Sequence, residues 1–175
     1  MPGTPDPVLG SQLLTYTVAS VTSLVLVAVV YATRRRLAHD WRPLALLGFG
    51  YATVTLSVWA VARLATDALP SGIVDDPVAA TGFLAFSFAI LAGFVVAAAR
   101  LYASRGLLVP LVGLFGFTEL VWWAFLHVRG ETDALGIFVP LGPAMAAVVF
   151  LATVFEYVVR MLWNRATRGG DRSMT

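Results

Sequence analysis

Glu119 is the side chain in this sequence whose setting most clearly calls for chemistry. It lies in an apolar stretch from Leu107 to Val128, far from the polar residues at either end. A charged side chain at the centre of a membrane helix costs at least about 2.5–3.5 kcal/mol. The carboxyl must therefore be protonated, paired or turned toward a polar cavity. Thr53, Thr55 and Ser57 fall at comparable depth in an earlier apolar stretch, and Ser87 in another, so hydroxyls are at hand to bind it. Two roles follow: a protonatable site on an ion or proton path, or a polar point that docks a second helix. A neutral acid that merely hydrogen-bonds two helices together is the structural alternative. Trp122 and Trp123 come about one turn later, where they would line a pocket beside Glu119 or pack as ordinary bulk.

The remaining titratable residues have simpler readings. Glu156 precedes Arg160 by one turn, the spacing of an exposed ion pair on a helix. Arg63 precedes Asp67 in the same way and is expected to snorkel outward or pair locally. His39 in the first cytoplasmic connection and His127 at the outer end of the fourth span fall on opposite membrane faces, roughly 30 Å apart, so one haem cannot take both as axial ligands. Cysteine is absent, and all 12 basic side chains are arginine. That excludes thiolate metal sites, iron–sulfur clusters, a lysine Schiff base and a phosphate loop with its lysine. The sequence also lacks a Gly-x-Ser-x-Gly elbow and a His-Glu-x-x-His pair. Asp75 and Asp76 have no second acidic motif to complete a metal site. No catalytic residue, metal ligand or cofactor is expected, and nothing supports an enzyme.

The elements that hold these residues follow from composition. Of 175 residues, 59% are hydrophobic and only 13% charged, and the mean hydropathy is +0.83. A water-soluble globule of this length cannot hide so much apolar surface, so lipid must be part of the solvent. Runs of roughly 20 apolar residues mark membrane helices, and five occur, at about 12–33, 43–63, 78–99, 107–128 and 135–163. The fold class is an all-α, multi-pass protein of the cell membrane. Residues 1–11 form a short lead-in, 12–163 the five-helix domain and 164–175 a basic tail. The polar stretch 34–42 reads as the first connection, with Arg34, Arg35, Arg36 and, near the last span, Arg160 as cytoplasmic anchors. Arg100, Arg105, Arg165, Arg168 and Arg172 fall on that side too. Asp6, Asp67, Asp75, Asp76, Glu131 and Asp133 fall opposite, with Arg63 and Arg129. The positive-inside rule then places the N-terminus outside and the C-terminus in the cytoplasm. The first span is too long and too acidic in its lead-in for a signal peptide. Pro140 and Pro143 in the fifth span each remove a backbone donor, which predicts a kink or a delayed helix start.

Span two opens Arg-Pro-Leu-Ala-Leu-Leu-Gly-Phe-Gly-Tyr (42–51) and span four Val-Pro-Leu-Val-Gly-Leu-Phe-Gly-Phe (109–117). The echo suggests two parallel two-helix units plus a fifth helix. The stretch Tyr31-Ala-Thr-Arg-Arg-Arg, then Arg42-Pro43, an apolar run and Trp59, resembles the membrane-sensor regions that precede some histidine kinases, over one helical hairpin. The resemblance implies a sensor role exercised through a separate signalling partner. The expected function is thus a non-enzymatic accessory or sensor-like subunit. The alternatives are a small oligomeric transporter or proton pathway centred on Glu119, or a pigment- or lipid-binding scaffold at Trp122 and Trp123. Expected partners are membrane lipid and another membrane protein or a second copy of the chain, with no nucleic acid.

Overall fold

The computed structural model describes residues 6–69, 75–128 and 133–170. Among them are five helices, α1 Gln12–His39, α2 Trp41–Ala65, α3 Pro77–Arg105, α4 Val109–Phe125 and α5 Ala134–Gly170. Two short strands, β1 Asp6–Pro7 and β2 His127–Val128, pair antiparallel, with Asp6 opposite Val128 and Pro7 opposite His127. Arg129, Glu131, Arg172 and the side chain of Arg168, which entered the charge reading, lie outside the described residues.

The helices run further than the apolar runs that announce them. The arginines expected to form the first connection are instead the last turns of α1, and Asp40 alone separates α1 from α2. Lipid thickness ends an apolar run, but nothing in Arg34–His39 breaks a helix, since arginine is a good helix former. The chain turns at Asp40, whose backbone is extended and whose N–H donates to Arg36 O at 3.0 Å. Pro43 is tolerated because it falls in the first turn of α2, where an N–H would lack a partner anyway. Likewise Arg100 and Arg105 belong to α3, which stops at Gly106 (φ 66°), the left-handed cap that glycine adopts without penalty. At the start of α3, one Asp76 carboxylate oxygen accepts from the N–H groups of Val78 at 3.1 Å and Ala79 at 3.0 Å. In the fifth span neither proline delays the helix. α5 starts at Ala134, with Asp133 accepting from Leu135 N–H at 2.8 Å, and runs through Pro140 and Pro143.

Successive helices alternate in direction between two ends. At one end lie the α1–α2 turn, the end of α3 and the start of α4. There Arg100 donates to Leu37 O at 3.0 Å and Ala38 O at 2.8 Å, and Arg160 donates to Gly106 O at 3.1 Å. At the other end β1 and β2 meet the end of α2 and the start of α5. α2 packs most extensively on α3, α1 on α4, and α4 touches every other helix. In the two units that the sequence echo suggests, α2 packs on α3 and α4 on α5, the first pair more extensively. Gly48 permits the closest approach of α2 to α3: a Cβ there would lie 2.8 Å from Ala92 O and 2.6 Å from Val96 Cγ2. The interior is filled by Leu91, Val95, Leu114, Phe117 and Phe125, with Phe117 stacked on Phe94 at 4.1 Å between centroids.

The outside of the bundle is as apolar as its inside. Leu13, Leu46, Val112 and Phe155 are each at least 70% exposed. Four helices (α1, α2, α3 and α5) are long and apolar enough to cross a membrane, and in α5 only 17% of the most apolar window is buried. In water such a surface would aggregate; lipid accepts it. These features are consistent with a membrane protein.

Candidate functional site

Glu119 faces α1, not α2. Its Oε1 accepts a hydrogen bond from Ser20 Oγ at 2.9 Å, and both residues are half-buried. One turn toward the β-strand end, Trp123 stacks on Tyr16, ring centroids 6.1 Å apart. One turn further, His127 Nε2 lies 3.2 Å from Gln12 Oε1, while its Nδ1 donates to Trp123 O at 2.6 Å. The Trp123 and His127 rings are 4.5 Å apart. Residues 119, 123 and 127 thus meet 20, 16 and 12 in antiparallel order, building a polar and aromatic column along the α1–α4 seam. Because α4 ends at Phe125, Glu119 is only about 9 Å of helical rise from that end. The Trp123 Nε1–H is buried and has no hydrogen-bond partner among the described residues, an exception to the usual pairing of buried polar groups.

The hydroxyls expected around Glu119 are elsewhere. Thr53 and Ser57 are exposed on the outer face of α2. Thr55 is buried and accepts from Trp122 Nε1 at 3.2 Å. The buried Tyr51 hydroxyl is directed at Thr118 and Thr55 without a well-formed hydrogen bond to either. Consecutive residues on a helix point about 100° apart. Trp122 therefore turns to this α2–α4 hydroxyl group and Trp123 to the column, so the two do not line one pocket. Ser87 is buried on α3, and its hydroxyl has no partner among the described residues. Depth along a helix was legible in the sequence, but not which face meets which neighbour. The signal for Ser20 was the four-residue spacing of Gln12, Tyr16 and Ser20, matched by Glu119, Trp123 and His127.

Arg63 neither snorkels nor pairs with Asp67. Its side chain is 1% exposed, its Nε lies 2.9 Å from Asp133 Oδ1, and its terminal nitrogens donate to Phe125 O and His127 O. Trp59 Nε1 donates to the other Asp133 oxygen at 3.2 Å, and the guanidinium lies 5.4 Å from the Trp59 ring. α4 ends with carbonyls that lack helical partners. Arg63 satisfies that of Phe125, together with the His127 carbonyl of β2, and so fixes the base of the column.

Glu156 does more than pair with Arg160, from which it is 2.6 Å away. Its two oxygens accept from Leu108 N–H at 2.9 Å and Val109 N–H at 2.8 Å, capping α4 from α5. Glu156→Ala is expected to lower stability by about 1–2 kcal/mol, the worth of a helix cap. Arg160→Ala, on a half-exposed ion pair, should cost less than about 1 kcal/mol. Thermal denaturation in detergent distinguishes a cap from a surface pair. Of the other anchor arginines, Arg34 lies 5.6 Å from the centre of the Tyr102 ring, and Arg35 and Arg36 are exposed.

His39 sits at the far end of α1 from Gln12, about 40 Å by helical rise, so the two histidines do not converge. Among the described residues no three His, Asp or Glu side chains gather to hold a metal. Comparison with protein-family models, with curated proteins and with solved structures finds no match for the chain.

Proposed function

We propose that this chain is a multi-pass protein of the cell membrane acting as a sensor-like or accessory subunit of a membrane assembly. The supporting observation is the reach of α5. At 37 residues it is about 55 Å long, against a hydrocarbon core of about 30 Å. From Arg160, which donates to Gly106 O, α5 continues for about 15 Å. A helix that leaves the membrane without a break is a suitable handle for a partner, and Leu162 and Trp163 are exposed on it. In this reading all five helices cross. α4, at 17 residues, is at the lower limit for a span, but its two ends meet the same end clusters as its neighbours. The arginine-rich end is cytoplasmic and the strand end outside.

The test is affinity capture of the full chain from gently solubilised native membranes. Stoichiometric partner chains are expected, and replacing Leu162 and Trp163 by glutamine should release them while leaving membrane insertion unchanged. A chain that comes out alone overturns the proposal.

The column favours one second reading, a proton pathway through Glu119. A carboxyl about 9 Å from the outer end of its helix, with Trp123 and His127 following on the same face toward that end, is placed to exchange protons with the outer face. In liposomes carrying a pH dye, Glu119→Gln should then abolish proton entry, at least tenfold, with helical content retained. Unchanged flux removes this reading.

A further inference from the structure

Between α3 and α5 a groove of about 330 Å³ opens to the outside of the bundle, with Pro110 of α4 at its back. Its α3 wall is Ala89, Gly93, Ala97 and Leu101, one residue per turn, and α5 contributes Ala146 and Thr153. Small residues at this spacing ordinarily let two membrane helices close on each other. Here α3 and α5 meet around Ile90 and Gly142, where a Cβ on the glycine would lie 3.3 Å from Ile90 Cγ2, yet the stripe beside that contact lines open space. In a bilayer such a space fills with hydrocarbon, because an empty groove forfeits dispersion contacts along its whole length.

Its length and its end identify the occupant. From Ala89 to Leu101 the wall is about 18 Å long by helical rise, close to one leaflet of a hydrocarbon core about 30 Å thick. One turn beyond Leu101 is Arg105, and one turn beyond Thr153 is Tyr157, with the guanidinium 5.6 Å from the centre of the tyrosine ring. Among the described residues Arg105 has no ion pair, since Glu156 is engaged by Arg160 and the start of α4. Guanidinium donors are thus left for an anion at the headgroup level. We propose that the groove binds one acyl chain of an anionic phospholipid from the leaflet at the arginine-rich end, with the lipid phosphate on Arg105.

Native mass spectrometry of the full chain tests this, after equilibration with equal amounts of phosphatidylglycerol and phosphatidylcholine bearing the same acyl chains. One lipid should be retained per chain, phosphatidylglycerol over phosphatidylcholine by about fivefold, the worth of one arginine near an anionic headgroup. Arg105→Gln should erase the headgroup preference and keep the lipid. Gly93→Leu should lose the lipid with helical content unchanged, because a Cβ at Gly93 meets no atom within 4 Å and the new side chain enters the groove. Three results overturn the proposal: unchanged retention in Gly93→Leu, equal retention of both headgroups by the wild-type chain, or a homo-oligomer that Gly93→Leu splits, which would assign the groove to a second copy.

Discussion

Arg63→Met is expected to destabilise the protein by about 3–5 kcal/mol, the cost of removing one partner from a buried charge pair. On the thermal scale this is a fall on the order of 10 °C for a chain of this size. The argument rests on what the substitution leaves behind. Asp133 would keep its bonds to Trp59 and Leu135 N–H but lose its counter-charge, and the carbonyls of Phe125 and His127 would lose their donors. Methionine fills much of the volume, so the loss would come from electrostatics and hydrogen bonding. Lysine should not rescue, since one ammonium cannot reproduce the planar fork that reaches a carboxylate and two carbonyls. Adding Asp133→Asn to Arg63→Met should recover part of the loss by removing the stranded charge. Thermal denaturation of the single and double variants in detergent measures the coupling, and a single-variant effect below about 0.5 kcal/mol would contradict the assignment.

Gly48→Val is the second large effect, expected to cost about 1–3 kcal/mol through overpacking. The obstacle is the carbonyl oxygen of Ala92, 2.8 Å from where the new Cβ must go. A side chain can rotate away, but backbone cannot, so α2 and α3 would have to separate along their main interface. Gly50, two residues on, is the internal control. A Cβ there meets nothing within 4 Å, so Gly50→Ala should be neutral or stabilising by up to about 1 kcal/mol from helix propensity. Equal losses at both positions would mean that close approach at Gly48 is not what the glycine provides.

The same residues show what the sequence made legible. Hydrophobic runs located all five of the described helices, because transfer into lipid is decided locally, residue by residue. Their ends were less legible, for two opposite reasons. Arg34, Arg35 and Arg36 end an apolar run without ending a helix, so α1 is longer than its apolar part. Leu126 and Val128 continue the apolar run of α4 after its helix has stopped, because the backbone there pairs with β1 and with Val8, whose N–H reaches Leu126 O at 2.9 Å. The candidate site was half legible. A carboxyl within an apolar run announces itself, and Glu119 does need a donor. Which hydroxyl supplies it depends on how helices are rotated against one another, and hydropathy carries no such information. Arg63 was misread for a related reason. A local partner at Asp67 was visible, whereas Asp133 is 70 residues away and reaches Arg63 only through the fold.

The α1–α4 seam also dictates an order of events during synthesis. The hydrogen bond from Ser20 to Glu119 joins residues 99 apart, and the contact of Gln12 with His127 joins residues 115 apart. α1 makes its largest interface with α4, a smaller one with α3 and few contacts with α2. α1 is therefore made long before the whole of its seat exists. α2 and α3 can pair as soon as both are made, while Gln12, Tyr16 and Ser20 of α1 still lack their partners on α4 and β2. α1 can rest on α3 once that helix is made, but its polar residues find their partners only when α4 emerges, and the strand Asp6–Pro7 then closes over the finished seam. The polar face of α1 is thus satisfied late, although α1 comes before α2, α3 and α4 in the chain.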